Sequence, residues 1–310
     1  MKAFIMTKDI DLREAFFLVY KEKLRIFSIT IAFFFLSIIY SLSLPNIYKS
    51  QVIVVLNEDS SNLSNIASQI GGMSSLAGLS IPFLNTGEKK SDDAIQVLKS
   101  LTFFERFINK KDFYLAFSAS KGWDKSSGNL ILNGDIYDGA QNKWVSNEPF
   151  SIDGKPSLQE VYKDFHEDNF KIVKDSLTGH VLLSIEHFSP QVAKESIETI
   201  IFEMNELERE KDIANAEQSI KFLEEQMLKT NLSEVRIALS SLVQEQVKKV
   251  MVAKSSKDYL FSVLSFPYAS EEKDSPQRFV IVSSVTLFSF FLSCLYFVLF
   301  STKKNDLVLE

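Results

Sequence analysis

Cysteine is all but absent from this chain of 310 residues: the one copy, Cys294, lies inside a long apolar run. No disulfide framework can therefore staple the fold, and whatever body the chain builds must be held by burial and hydrogen bonding. An excess of positive charge is missing as well. The chain carries 34 Lys and Arg against 40 Asp and Glu, and residues 45 to 278 alone hold 26 basic and 34 acidic side chains. An acidic body of this kind repels phosphate backbones, which excludes nucleic acid as the partner.

Signatures of chemistry are missing too. The phosphate-cradling pattern GxxxxGK[ST] does not occur, and Gly71, Gly72 and Gly78 are followed by no lysine and filled in by Met73, Leu76, Ala77 and Leu79, which reads as small-residue packing. The three histidines, His166, His180 and His187, lack metal-ligand spacing; the last two are seven apart, which puts them on opposite faces of one strand. The acidic pairs Asp92-Asp93, Glu224-Glu225 and Glu271-Glu272 are adjacent in sequence. On a helix they diverge by about 100°, so they cannot converge on one bond as acid and base. No catalytic, metal-binding or cofactor-binding residue is expected, and the chain reads as a non-enzyme.

What is present is apolar length. The runs Ile26 to Leu44 and Phe279 to Phe300 carry no charge. As helices they would span roughly 28 and 33 Å, against a bilayer hydrocarbon core of about 30 Å. Lys2, Lys8, Arg13, Lys21, Lys23 and Arg25 precede the first run and Lys303 and Lys304 follow the second, while the inner flanks offer mainly Lys49, Lys273 and Arg278. Both termini are thus expected in the cytoplasm, with everything between the two runs across the membrane. A cleaved signal peptide is the rival, with Ser41-Leu42-Ser43 as the cut. The long charged leader up to Arg25 and the length of the apolar run favour an uncut anchor.

Between the runs, Tyr48 to Leu56 is rich in β-branched residues and predicts a strand, and Asp92 to Asn109 shows helical spacing of Ile95, Leu98, Leu101, Phe104 and Ile108 behind a Ser91 cap. Residues 118 to 157, rich in turn formers, predict loops with hairpins, and a short helix is expected over 158 to 165. Phe170 to Val173 and His180 to Phe188 predict paired strands around the turn at Asp175 to Gly179. Ser189-Pro190 then opens about 40 residues without another Pro or any Gly, a rod of roughly 60 Å. Its narrow apolar stripe includes Ile197, Ile200, Met204, Leu207, Ile220, Leu223 and Met227, the candidate oligomer contact; core burial within the chain is the open alternative. A return helix through Val235 to Val250 and an extended segment from Asp258 to Phe266 lead to Pro267 and Pro276.

This order of parts resembles the polysaccharide co-polymerases, the Wzz-type chain-length determinants. The strings that carry the resemblance are DLREAFFLVYKEK, QIGGMSSLAGL, AIQVLKSLTFFERFI, SLTGHVLLSIEHFSPQVAKE and REKDIANAEQSIKFLEEQMLKTNLSEVRIALSSLVQEQ. Pro267 and Pro276 look like that family's proline-rich approach to the membrane, and Ser289 and Ser293, four apart in the second span, offer a small-residue helix contact. The implied fold is α+β: two transmembrane helices flanking a periplasmic domain with a membrane-proximal α/β base and a long projecting helix. The expected segments are a cytoplasmic leader (1–25), a span (26–44), the base (45–188), the long and return helices (189–252), an extended return (253–278), a span (279–300) and a cytoplasmic tail (301–310).

The resemblance further implies a ring-like homo-oligomer in the bacterial inner membrane, without cofactors, acting on a membrane polysaccharide polymerase and its undecaprenyl-linked glycan to set the length of an O-antigen-like chain. An enzyme acting on glycans outside the membrane is disfavoured, since no converging acid-base set is visible, and two alternatives stay open at this point. One is an export subunit for capsule or exopolysaccharide that works with a separate kinase, since the short tail from Ser301 to Glu310 holds no kinase of its own. The other is a membrane sensor, which would need an output domain that the tail does not supply.

Overall fold

The computed structural model describes residues 20–57, 86–147 and 151–306, with side chains at 86–90 and 299–306 excepted. The Gly71 to Gly78 segment and most of the charged leader lie outside those residues. The chain divides into two compact units, one of Met1–Asn46 with Lys273–Glu310, the other of Ile47–Glu272.

The first unit contains α1 (Lys23–Ser43), after which the second opens with β1 (Tyr48–Leu56). Its helices α2 (Thr86–Leu98), α3 (Leu101–Ile108) and α4 (Phe113–Ala119) follow. The single helix expected over Asp92 to Asn109 is in fact α2 and α3. Ser100 takes an extended conformation and its hydroxyl accepts from the Phe103 amide, so it caps a new helix where periodicity alone runs straight through. Ser91, expected as the cap, lies buried inside α2. The re-aimed α3 can then turn Phe103, Phe104, Phe107 and Ile108 inward together.

Residues 120 to 144 form two small hairpins, β2 (Ser120–Trp123) with β3 (Leu130–Leu132) and β4 (Tyr137–Asp138) with β5 (Lys143–Trp144). Gly154 folds against the second one. Its φ is +78°, and a Cβ there would meet the Trp144 carbonyl oxygen at 2.5 Å, so no other residue fits without rearrangement. Ser157 caps α5 (Leu158–Asp164) by accepting from the Glu160 amide, and a π-helical turn over Phe165–Asn169 delivers the chain to β6 (Phe170–Lys174).

The main sheet has the order β6-β7-β1-β8, all antiparallel, with β7 at Val181–His187 and β8 at Phe261–Ser265. Register aligns Val52 with Leu183 and Leu183 with Ile172, and Ser50 with Ile185 and Ile185 with Phe170. Alternate residues Tyr48, Ser50, Val52 and Val54 of β1 are buried while Gln51 and Ile53 face water, the pattern of an antiparallel sheet packed on one side. Onto the packed face lie the first turns of α6 (Pro190–Lys229) together with α3 and α5.

The core between these layers is built from aromatic rings. Phe165 stands at its centre, with ring centroids at 5.2 Å from Phe104, 5.4 Å from Phe107, 4.9 Å from Phe117 and 5.4 Å from Phe170. Offset and edge-to-face pairs of this kind add about 0.5–1.5 kcal/mol each beyond their area burial. The Ser189 hydroxyl and Pro190 start α6 as expected, and it runs 40 residues. It returns through α7 (Ser233–Ser255) to β8. Finally α8 (Arg278–Asp306) completes the first unit and packs along α1.

Candidate functional site

Among the described residues no cluster of His, Cys, Asp or Glu could hold a metal ion. Two features remain as candidates: the α6–α7 hairpin and the α1–α8 pair.

The hairpin is rooted by polar fastenings. Glu203, buried on α6, accepts from Arg106 Nε at 2.7 Å and pairs with Lys110 Nζ at 2.9 Å, while the rest of the Arg106 fork reaches Glu210 at 2.8 and 3.0 Å. The Glu210 bond holds the Arg106 guanidinium above its already high ordinary value, and the same bond holds the Glu210 carboxyl below the usual carboxylate range. Two positions beyond Glu203, Asn205 is buried and acts as a surrogate strand. Its Oδ1 accepts from the Leu260 and Phe261 amides at 2.9 and 2.7 Å, and its Nδ2 donates to the Phe261 carbonyl at 3.3 Å, closing the outer edge of β8. Asp212 receives Lys249 Nζ at 2.8 Å and the Tyr259 hydroxyl at 2.7 Å. Burial, reinforced by that carboxylate, pushes the Tyr259 phenol well above its ordinary value. Arg209 pairs with Glu206 and donates to the Ser256 and Lys257 carbonyls. Every one of these bonds engages α6 at or before Asp212, in the half of the helix next to the sheet.

The apolar stripe divides at the same place. Ile197, Ile200 and Met204 are enclosed by the sheet and helices of their own chain, and Leu207 packs at the margin of that core. Of the two readings open for these side chains, Ile197, Ile200 and Met204 take the core. Ile220, Leu223 and Met227 lie further out, half-buried on the outer half of α6, with Leu223 lining a groove against Leu242 of α7; Ala216 and Ala253, both buried, allow close approach of the helices. A different apolar set faces outward from the hairpin. It comprises Phe222, Leu228, Leu232, Ile237 and Met251, with Phe222 59% and Leu228 87% exposed. These fall off the main stripe, so periodicity does not single them out; the available signal was apolar side chains on a face that charge should own.

His187, the most deeply buried histidine, is neutral and fully used. Its Nδ1 accepts from the Ser189 amide at 3.0 Å and its Nε2 lies 3.0 Å from the Ala116 carbonyl, so Nε2 carries the proton. Burial lowers its pKa, and burial among Phe104, Tyr162, Phe165 and Phe170 likewise lowers that of His166. Below pH 6.5 the unfolded chain binds protons at these rings that the folded chain refuses, so stability falls as pH drops from 6.5 toward the depressed folded values. Thermal or denaturant unfolding between pH 5 and 7 should show this, with a slope of up to about 1.4 kcal/mol per pH unit per proton. His187→Gln should lower the slope by as much as one proton.

Both α1 and α8 are long and apolar enough to cross a membrane, with mean hydropathy 2.1 in each case. Only 17% and 11% of their apolar windows are buried within the chain, whereas the core helix of a soluble protein is mostly buried. Besides Ile26 of α1, the buried residues of this pair are small. Ser37 and Ser41 belong to α1 and Ser289 and Ser293 to α8; the Ser37 hydroxyl donates to the Phe34 carbonyl at 2.7 Å and that of Ser289 to the Thr286 carbonyl at 2.9 Å. Serine at such positions lets helix backbones approach closely. Pro267 is buried behind β8, where the Tyr268 carbonyl accepts from the Ser50 hydroxyl at 2.9 Å, and Pro276 is half-buried and follows a cis peptide bond.

Residues 8–111 match the family model described as Wzz, chain length determinant protein. The matched segment takes in α1, β1, α2 and α3, along with the first three strings of the resemblance noted above. No curated protein matches the chain. Among solved structures it is similar to a full-length bacterial polysaccharide co-polymerase at 12% identity and a TM-score of 0.42, over 95% of this chain and 99% of that one. It is also similar to a fragment of WzzB, a polysaccharide co-polymerase from Salmonella Typhimurium, at 15% identity and a TM-score of 0.30, over 74% of this chain and 100% of the fragment.

Proposed function

We propose that this chain is a non-catalytic regulator of polysaccharide chain length, anchored in the bacterial inner membrane by α1 and α8, with both termini cytoplasmic and Ile47 to Glu272 in the periplasm. The observation that carries the reading is the Wzz match, which covers the first apolar helix and the start of the sheet domain, in a chain whose second apolar helix follows that domain. The outer α6–α7 hairpin is the contact between copies. Phe222, Leu228, Ile237 and Leu242 are left uncovered there, and Ile220, Leu223 and Met227 are only half-covered. An assembly of copies beside a membrane polymerase changes how many units that polymerase adds to a lipid-linked, O-antigen-like glycan. No cofactor or metal is required.

Electrophoresis of glycan from a deletion strain tests this. Polymer should still be made, with its preferred length lost and restored by the intact gene. Abolished synthesis, or an unchanged length distribution, contradicts the reading.

A further inference from the structure

The chain leaves the sheet through an uncharged stretch: no Asp, Glu, Lys or Arg occurs between Asp258 and Glu271, in a body where such residues are otherwise frequent. Along it Leu264, Phe266 and Tyr268 are each more than half exposed, Phe266 by 81%, while Pro267 is buried. Spacing of two along an extended chain turns these three side chains to one face. The segment is fixed to the sheet, because the Tyr268 carbonyl accepts from the Ser50 hydroxyl at 2.9 Å.

It is also the part of the sheet domain tethered most closely to the apolar helices. Ser50 follows Leu44, the cap of α1, by six residues, about 20 Å of extended chain at most, and Tyr268 precedes Arg278 at the start of α8 by ten. Both tethers start from one place, since Arg278 Nη2 donates to Asn46 Oδ1 at 3.1 Å. Strand β8 runs toward that end: Phe261 pairs with Leu56 and Ser265 with Ile53, so the chain passes down β1 toward Tyr48. The opposite end of the sheet carries Leu177, in the turn that leads to Val181, the partner of Val54. A leucine, a phenyl ring and a phenol on one uncharged face suit the boundary between hydrocarbon and water, where amphipathic rings collect.

We propose that Leu264, Phe266 and Tyr268 form an interfacial foot that enters the headgroup region of the bilayer and holds the sheet against the membrane. The occupant of this face is the lipid surface, and the short tethers at both ends favour it over a second copy of the chain. The inference rests on α1 and α8 lying in that bilayer.

The test uses the full chain in proteoliposomes, in a Cys294→Ser background, with a nitroxide spin label on one introduced cysteine: Phe266→Cys, Tyr268→Cys, Leu177→Cys or Phe288→Cys. All four positions are more than half exposed, so the labels leave the fold intact. Power-saturation spectroscopy compares collisions with oxygen, which partitions into lipid, and with a water-soluble nickel chelate present on both sides. The oxygen-to-nickel ratio at positions 266 and 268 should exceed that at 177 several-fold and stay below that at 288, in the middle of α8. A ratio at 266 and 268 equal to that at 177 overturns the foot. Few collisions with either reagent would show a protein surface covering the strip and overturn it too. A water-like ratio at 288 would instead remove the membrane reading, a result distinct from a dry span beneath a wet strip.

Discussion

Ile200→Asp abolishes cooperative folding of the Ile47–Glu272 body, whereas Phe222→Asp, further along the same helix, leaves it folded. Ile200 is 1% exposed, on the stretch of α6 that packs on the sheet, within the cluster that includes Val52, Leu183, Phe104 and Met204. Removing a buried isoleucine side chain costs about 2–5 kcal/mol, and the carboxylate put in its place has no partner there. The sum rivals the roughly 5–15 kcal/mol that holds a typical domain. At Phe222 the ring is mostly in water, so the folding cost is within about 0.5 kcal/mol. What Phe222→Asp loses is assembly, if the outer hairpin is the contact between copies. Thermal unfolding of the detergent-solubilised chain, paired with its mass in solution, checks both halves. A folded Ile200→Asp chain would refute the placement of the inner stripe in the core.

The next largest effect is expected at Asn205. Replacing it with leucine keeps the branching and the number of heavy atoms but withdraws one acceptor from two backbone amides and one donor from a carbonyl, all on Leu260 and Phe261. Each buried group left unpaired costs about 1–3 kcal/mol, so with three such groups Asn205→Leu should lower stability by roughly 3–9 kcal/mol. Hydrogen exchange should then show β8 losing protection ahead of β1 and β7, since β8 retains only its ladder to β1. Unchanged protection of Phe261 and Val263 would mean that Asn205 does not hold this edge.

Much of this was legible because the signals are local. Ser189-Pro190 and the unbroken run behind them specify α6 to the residue, since the hydroxyl cap and the missing proline amide act within one turn. The turn at Asp175 to Gly179 sets the β6–β7 register through the Asp175 side chain and the positive φ of Gly179. Ser100 was not legible. Helical periodicity continues across it, and only packing of four aromatic and aliphatic side chains against the sheet decides that the chain breaks there. Helix α4 went unassigned for a related reason, since Phe113, Tyr114 and Phe117 favour strands intrinsically and are held helical by ring contacts, Phe113 and Phe117 to Phe107 and Phe165 and Tyr114 to Trp144. Periodicity also names a face without naming what covers it. Ile200 and Leu223 share one stripe, yet the sheet covers one and leaves the other to the outer hairpin.

The central claim is that the acidic body lies across the membrane from both chain ends, and the near-absence of cysteine makes it directly measurable. In a Cys294→Ser background, a cysteine in place of Leu177, which is 96% exposed at a turn of the body, should react with a membrane-impermeant maleimide in intact spheroplasts. A cysteine in place of Lys304 should react only after lysis. Labelling of position 304 from outside, or protection of position 177 until lysis, would contradict the account.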